Sequence, residues 1–529
     1  MRIDGKGLID RDHPVRFTFD GQTVDGYRGD TVASALLGSG IRLVGRSFKY
    51  HRPRGIVTAG SDEPNALMTI GRGRHQRPNT RATVQELFDG LEVRSQNRWP
   101  SLRHDVMAIN DALSPFLAAG FYYKTFMWPR AFWERVYEPI IRRAAGLGRL
   151  SGQDAPDSSD RAFAHCDVLV IGAGPTGLMA ALAAARAGAD VILAEEDNRV
   201  GGRLLAETTE VAGMPGIQWV GSMLAKLTAL PNVRIMERTT VTGAYDGGTY
   251  AAVERVALHR APSDAPPECF WRIAAKRAVL CSGALERTIA FPENDRPGIM
   301  QASAVRAYLN RWGVSAGKAV TLFTNNDAAQ QTASDLAAAG LQIAGIIDTR
   351  PDAKPQDDWP FFAEAEVVGT KGRHGLTQIT IRQNGTTRDI QTDCLAVSGG
   401  WNPAVHLTCH MGARPTWRDD IAAFVPTDDA IPGLAAAGAA NGTFSTAACL
   451  SEGAKAGGDA AKALGFKRKR TDTPKAEDDD YSLTSAWAVD SPGRAWLDLQ
   501  NDVTTKDVKL AARENYRSVE HMKRYTTQG

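Results

Sequence analysis

Three glycines and a carboxylate carry the clearest chemistry in this sequence of 529 residues. The stretch CDVLVIGAGPTGLMAALAAARAGADVILAEEDNRVGGRLL (166–205) sets Gly172, Gly174 and Gly177 between an apolar strand and an alanine-rich helix. Such a turn binds a pyrophosphate. The first glycine makes the tight turn, the second lets backbone approach the phosphates, and the third lets helix pack on strand. The helix then presents free N–H groups and its positive dipole end to the anion. Glu195 closes a second strand about twenty residues on. A carboxylate there accepts hydrogen bonds from both hydroxyls of an adenosine ribose and repels a 2′-phosphate, which favours NAD or FAD over NADP. The run RVGGR (199–203), with Gly202 and Arg203, follows as it does in two-dinucleotide-binding flavoprotein folds.

Two later segments extend this site. RAVLCSGALER (277–287) reads as the strand and turn that close over the cofactor, with Gly283 at the close approach. IPGLAAAGAANGT (431–443) reads as the late motif that in FAD enzymes carries an aspartate for the ribityl chain. Here Ala439, Ala440 and Asn441 stand in its place, followed by Gly442. An amide also hydrogen-bonds sugar hydroxyls, so a dinucleotide still fits, but FAD loses its most specific partner. A second strand–turn–helix, GKAVTLFTNNDAAQQTASDLAAAGLQIAGIIDTR (317–350), has lost its glycines. Asp327 in that turn would face a pyrophosphate with like charge, and side chains restrict backbone approach. It reads as a structural remnant, so one dinucleotide per chain is expected.

Other reactive residues are scattered. Cys166, Cys269, Cys281, Cys394, Cys409 and Cys449 form no C-x-x-C pair and no zinc or iron–sulfur spacing, so no metal site is expected. Most should be small buried hydrophobes. His51, His406 and His410 read as packed or exposed histidines, and the catalytic residues stay unknown.

The elements that position the site follow from the pattern of the chain. Its length exceeds one hydrophobic core, and 43% hydrophobic with 23% charged residues is ordinary for a globular protein. A net charge of +2 gives no global attraction to nucleic acid or an anionic membrane. The N-terminus carries no apolar signal region, and no uninterrupted apolar run reaches membrane-span length, so a cytoplasmic location is expected. Residues 164–465 alternate apolar strands with alanine-rich helices, an α/β fold of the FAD/NAD(P)-binding, two-dinucleotide-binding-domain (Rossmann-like) kind with a degenerate inner nucleotide fold at 317–425. Residues 1–110 read as a β-grasp, ferredoxin-like module. PVRFTFDGQTVDGY alternates about an Asp20-Gly21 turn, and a helix follows with Asp30 as its cap and Gly38 as its stop. That module holds no cysteine, which excludes an iron–sulfur cluster by lack of ligands. Residues 111–163 form a helical connection and linker; the aromatic surface at 105–145 should pack on its own protein, with a subunit interface as the alternative. The basic segments at 45–55 and 72–81 read as solvated or inter-subunit faces rather than RNA-binding patches. Residues 466–529 are a charged linker and a helical tail.

With these pieces in place the chain resembles the α subunit of heterotetrameric sarcosine oxidase. The stretches that carry the resemblance are VGRSFKYHRPRGI (44–56), the GAGPTG unit with AEED, FTNNDAAQQTASDLAAAG, GAANGTFSTAACLSEGA and the tail WLDLQNDVTTKDVKLAARENYRSVEHMKRYTT. The resemblance implies a complex with β, γ and δ subunits that oxidises N-methylglycine to glycine and reduces oxygen to hydrogen peroxide. It implies NAD in the first nucleotide fold, FMN at the interface with the β-type subunit, and FAD on that partner, with FAD in this chain as the alternative. Gly172, Gly174, Pro175, Thr176 and Gly177 would wrap the pyrophosphate, Glu195 and Glu196 the ribose, Arg203 would lie near the phosphates and Val241 would line the adenine pocket. In that family a folate-binding, aminomethyltransferase-like domain follows the RYTT of the tail, whereas this sequence stops at Gly529; the resemblance therefore implies either a separate folate-binding polypeptide among its partners or a truncated or split form of the subunit. Two rivals stand beside this reading: an FAD-dependent reductase or opine-type dehydrogenase subunit, and a scaffold whose NAD is structural.

Overall fold

A computed structural model describes residues 1–144, 148–155, 159–477 and 481–529 of the chain. Parts of the helical connection and of the two polar linkers lie outside the described residues.

The N-terminal sheet orders its strands Gln22–Arg28, Asp10–Phe19, Glu92–Ser95, Leu67–Ile70, Arg77–Arg81. The hairpin turns at Asp20 and Gly21, both at positive φ, as a two-residue hairpin loop requires. The helix Val32–Gly38 is capped by Thr31, whose hydroxyl accepts from the Ser34 amide, and not by Asp30. Asp30 is instead buried and accepts from the Tyr27 amide, the Ser34 hydroxyl and both terminal nitrogens of Arg2. The module does not close its own core. Phe17, Leu36 and Met68 share one apolar cluster with Tyr308, Leu309 and Trp312 of the helix Ala302–Trp312.

A second sheet runs Val233–Met236, Val191–Ala194, Asp160–Ile171, Cys269–Leu280, Thr249–Glu254, Thr239–Tyr245, with Leu434–Ala436 pairing on Cys269–Leu280. The strands from Val233–Met236 to Cys269–Leu280 are parallel, and Leu434–Ala436 joins them in parallel. The last two form an antiparallel meander. Asp160–Ile171 begins inside the stretch read as linker, because its outer half pairs with Cys269–Ala275. A third sheet repeats the plan: five parallel strands (Ile299–Gln301, Cys394–Ser398, Ala319–Thr324, Gln342–Asp348, Phe361–Phe362) beside the meander Ala365–Lys371, Gln378–Gln383, Thr386–Gln391. The molecule is thus α/β, with two nucleotide-type sheets and an N-terminal ferredoxin-like module.

Three expectations change. Residues 105–144 hold only short helical pieces, and Phe116, Trp128 (83% exposed) and Phe132 face outward instead of into a core. The basic segment 45–55 is interior: Arg54 is 1% exposed and pairs with Asp295 (2.6 Å) and Asp502, while Arg52 pairs with Asp295, Glu293 and Asp111. Both guanidiniums lie over the Trp496 ring. The tail is woven into the body, with Trp496 buried in this latch. Five of the six cysteines are buried and Cys409 is exposed. Among the described residues no helix is long and apolar enough to cross a membrane.

Candidate dinucleotide site

The strand Asp160–Ile171 delivers the chain into Gly172, at φ +96°, where an ideal Cβ would meet the Cys281 carbonyl oxygen at 2.5 Å. Pro175 opens the helix Pro175–Ala187; its fixed φ suits the first helical position and its missing N–H costs nothing there. Gly177 allows the first turn to sit on the Gly172 carbonyl, and Gly202 brings the second glycine pair against Gly174, where a Cβ would lie 2.8 Å from the Gly174 Cα. The residues around the turn therefore leave no room for side chains on the protein side. Above it, the first-turn amides of Thr176 and Gly177 are free of intrahelical partners, as at any helix start. This is a cradle that fits a pyrophosphate.

Glu195 leaves the strand Val191–Ala194 into the same place. Its carboxylate is buried and accepts from the Ala173 amide at 2.7 Å and the Asp197 amide at 2.9 Å. Burial, with the charges of Asp197 and Glu196, pushes its carboxyl up to about 7, and the two amide bonds only partly oppose this. Glu196 turns away, to accept from the Ser61 hydroxyl of the N-terminal module at 3.0 Å. Asp197, paired with Arg311 at 2.5 Å, is held below the usual carboxylate range because that attraction outweighs burial. The strand holding Val241 starts from a bond between the Thr239 amide and the Glu195 carbonyl, and Val241 is half-buried against the core below.

The late motif reaches the turn from the other side. A Cβ on Gly438 would lie 2.1 Å from the Thr176 hydroxyl oxygen, a contact that the motif alone did not reveal. Asn441 donates its amide to Glu452 at 3.1 Å, a carboxylate eleven positions on that sequence reading missed. Gly442 follows in the left-handed region. Arg203 bonds Glu207 at 2.8 Å and the Phe444 carbonyl at 2.5 Å, tying the second glycine pair to the late motif. Gly283 lies in open space after the strand Cys269–Leu280. The helix Thr446–Ala463 crosses the first helix closely enough that Cβ atoms on Gly453 and Gly457 would strike the carbonyls of Thr176 and Ala180.

The histidines stand apart from this cradle. His51 is buried and pairs with Asp105, His410 bonds the Ala244 carbonyl at 2.9 Å, and His406 opens a short helix. Among the described residues no group of His, Cys, Asp and Glu is placed to hold a metal ion.

The inner turn is closed by the chain itself. Asn325 and Asn326 are fully buried, and the Asn326 amide donates to Asn325, Ser398 and the Ser398 carbonyl. Asp327 pairs with Arg350 at 2.7 Å and accepts from the Ser482 amide and hydroxyl. The Thr484 amide donates to the Asn325 carbonyl at 3.0 Å. Segment 482–486, part of the stretch 466–529 read from sequence as charged linker and helical tail, therefore covers the turn where a second pyrophosphate would sit.

Comparison with known proteins adds the family context. Residues 12–98 match the profile of a 2Fe-2S iron-sulfur cluster binding domain, 167–244 that of FAD dependent oxidoreductases, and 492–529 that of the sarcosine oxidase A3 domain. The first matched stretch contains no cysteine, so its side chains do not fit a cluster of that type. The chain is 50% identical, over all of its length and 54% of the relative's, to the sarcosine oxidase alpha subunit of Rhizobium meliloti (strain 1021). It is 36% identical to that of Corynebacterium sp. (strain U-96), over 98% of this chain and 52% of the relative. A weaker match, 30% identical over 35% of this chain and 37% of the relative, is an opine oxidase subunit of Agrobacterium tumefaciens (strain Ach5). Among solved structures, L-proline dehydrogenase from P. horikoshii shares the fold, with a TM-score of 0.67 at 20% identity over all of this chain and 90% of that one.

Proposed function

From a chain related along its whole length to the sarcosine oxidase alpha subunits, and spanning about half the length of those relatives, we propose the dinucleotide-binding subunit of a sarcosine-oxidase-type oxidoreductase complex. The observation that carries this reading is the cradle of Gly172, Gly174 and Gly177 with the Glu195 carboxylate on its rim. Its dinucleotide is NAD. Asn441 and its partner Glu452 stand where an aspartate would favour a ribityl chain, and an amide already bonded to a carboxylate is a poor substitute. The chain's own residues bind and orient this nucleotide: the first-turn amides face the phosphates, Glu195 accepts from the ribose hydroxyls, and Val241 lies on the adenine side.

The oxidative demethylation of sarcosine to glycine, with oxygen reduced to hydrogen peroxide, then belongs to a β-type partner carrying FAD, with FMN at the interface between the two. Partners of γ and δ type complete the proposed complex, in the cytoplasm. The covered inner turn supports the same division of labour, because a reductase of this fold needs a second nucleotide there.

A second reading has one specific observation in its favour: residues 167–244 match the FAD dependent oxidoreductases. On that reading the chain is itself a flavoprotein of reductase or opine-oxidase type. Denaturing the purified chain and identifying the released cofactor by absorbance and mass decides between them. Release of NAD without flavin is the expected result, and stoichiometric FAD would overturn it. Sarcosine-dependent peroxide formation on adding a flavin-bearing partner then separates an active complex from an inert scaffold.

A further inference from the structure

A cavity of about 670 Å³ opens between the N-terminal module and the inner nucleotide domain, and no residue of the glycine turn lines it. That volume suits a small molecule. Five arginines and two histidines line it against only two carboxylates, Asp105 and Glu293.

Both walls are braced from behind. On one side Arg46 is buried and donates to the Leu102 carbonyl at 2.8 Å, fixing the loop that carries Arg103 and His104. Asp105 is consumed in the same loop: it accepts from His51 at 2.7 Å and from the Trp99 and Met107 amides. On the other side Arg296 donates to the Thr370 hydroxyl at 2.8 Å and to the Gly372 carbonyl, pinning the hairpin tip that carries Arg373 and His374. Glu293 is consumed by Arg52, with Arg296 at 3.6 Å. Asp105 is thus taken up by His51 and backbone amides, and Glu293 by Arg52 and Arg296, so neither carboxylate pairs with the arginines at the tips. Among the described residues the guanidiniums of Arg103 and Arg373 and the rings of His104 and His374 have no hydrogen-bond or ion-pair partner. Burial, with the charges of Arg46, Arg373 and Arg103, holds His374 below the usual imidazole range.

Two unpaired guanidinium forks facing one cleft, with ring N–H donors beside them, match the oxygens of a planar or tetrahedral oxyanion. We infer that this cleft binds a small dianionic molecule, a phosphate ester or a dicarboxylate, with Arg103 and Arg373 as its principal contacts. The site is independent of the glycine turn and of the nature of the dinucleotide.

Titration calorimetry on the full chain at low ionic strength tests this, with inorganic pyrophosphate and succinate as probes. The glycine turn also attracts pyrophosphate, so the comparison is between the native chain and R103Q/R373Q, in which only the cleft changes. Both arginines are exposed, and the circular dichroism spectrum checks that the variant is folded. At least one probe is expected to bind the native chain and to weaken by about tenfold or more in the variant. Preference for pyrophosphate assigns a phosphate ligand, and preference for succinate a dicarboxylate. Binding of neither probe, or equal binding in native chain and variant, overturns the assignment.

Discussion

An ideal Cβ on Gly177 would lie 1.8 Å from the carbonyl oxygen of Gly172, five residues back across the turn. The obstacle is backbone, so no side-chain rotation relieves it. Gly177→Ala must pull the first helical turn off the strand, which costs at least the ~1–3 kcal/mol of an overpacked core and displaces the amides that face the phosphates. The expected outcome is loss of the copurifying dinucleotide with a lowered thermal midpoint. Gly283→Ala is the informative partner, because no protein atom lies within 4 Å of its Cβ position. It should lose nucleotide with only ~1–2 kcal/mol of stability, the strain of a left-handed residue. Full nucleotide retention in Gly283→Ala would place the cofactor elsewhere.

Glu195 gives a pH dependence whose sign follows from its burial. In the free chain its carboxyl titrates at about 7 against an ordinary 4.5, so the folded state binds more protons than the unfolded. Stability from this group is then largest at low pH and falls as pH rises from 4.5 to about 7. Nucleotide binding runs the other way, because ribose hydroxyls donate to the ionised form. Affinity should climb by up to about tenfold per pH unit below 7 and level off above it. Glu195→Gln should bind weakly with a flat profile between pH 5.5 and 8.5. An unchanged slope in that variant would move the titration to another group.

The latch between the N-terminal module and the tail is a stability prediction. Arg54 and Asp502 are both buried, and Asp502 also accepts from the Lys49 and Tyr50 amides and the Trp496 indole. Arg54→Met leaves that carboxylate without its cation in the interior, which should cost about 3–5 kcal/mol. Arg54→Met with Asp502→Asn should recover part of that loss. Urea midpoints of the two variants, together with the rate of proteolytic release of the tail, measure it.

How much of this was legible in the sequence depended on distance along the chain. The glycine turn, its strands and Glu195 lie within some thirty residues, so their periodicity and turn chemistry sufficed. The latch did not, because Arg54 meets a partner 448 positions away, and a basic run looks the same whether solvated or paired inside. Gly438 against Thr176 and Glu452 against Asn441 were hidden for a related reason: each is a contact between a known motif and an element whose approach only packing decides. Local competition explains the capping error at Asp30. Its carboxylate is drawn to Arg2 and the Tyr27 amide, and Thr31 takes the cap.

The inner turn supplies a prediction of stoichiometry. A pyrophosphate there would have to displace the Ser482 amide and hydroxyl from Asp327 and the Thr484 amide from Asn325. It would then meet the Asp327 carboxylate, which its Arg350 partner and the Ser482 bonds keep ionised despite burial. Each lost bond costs about 1 kcal/mol, and the like charge adds to that. Equilibrium dialysis with radiolabelled NADH or NADPH should therefore find no second site on a chain already holding its first dinucleotide. Asp327→Ala with Ser482→Ala should not create one, since Asn325 and Asn326 still occupy the turn without glycine. Two dinucleotides bound per chain would show that segment 482–486 yields to ligand, and the inner fold would then have to be treated as a working site.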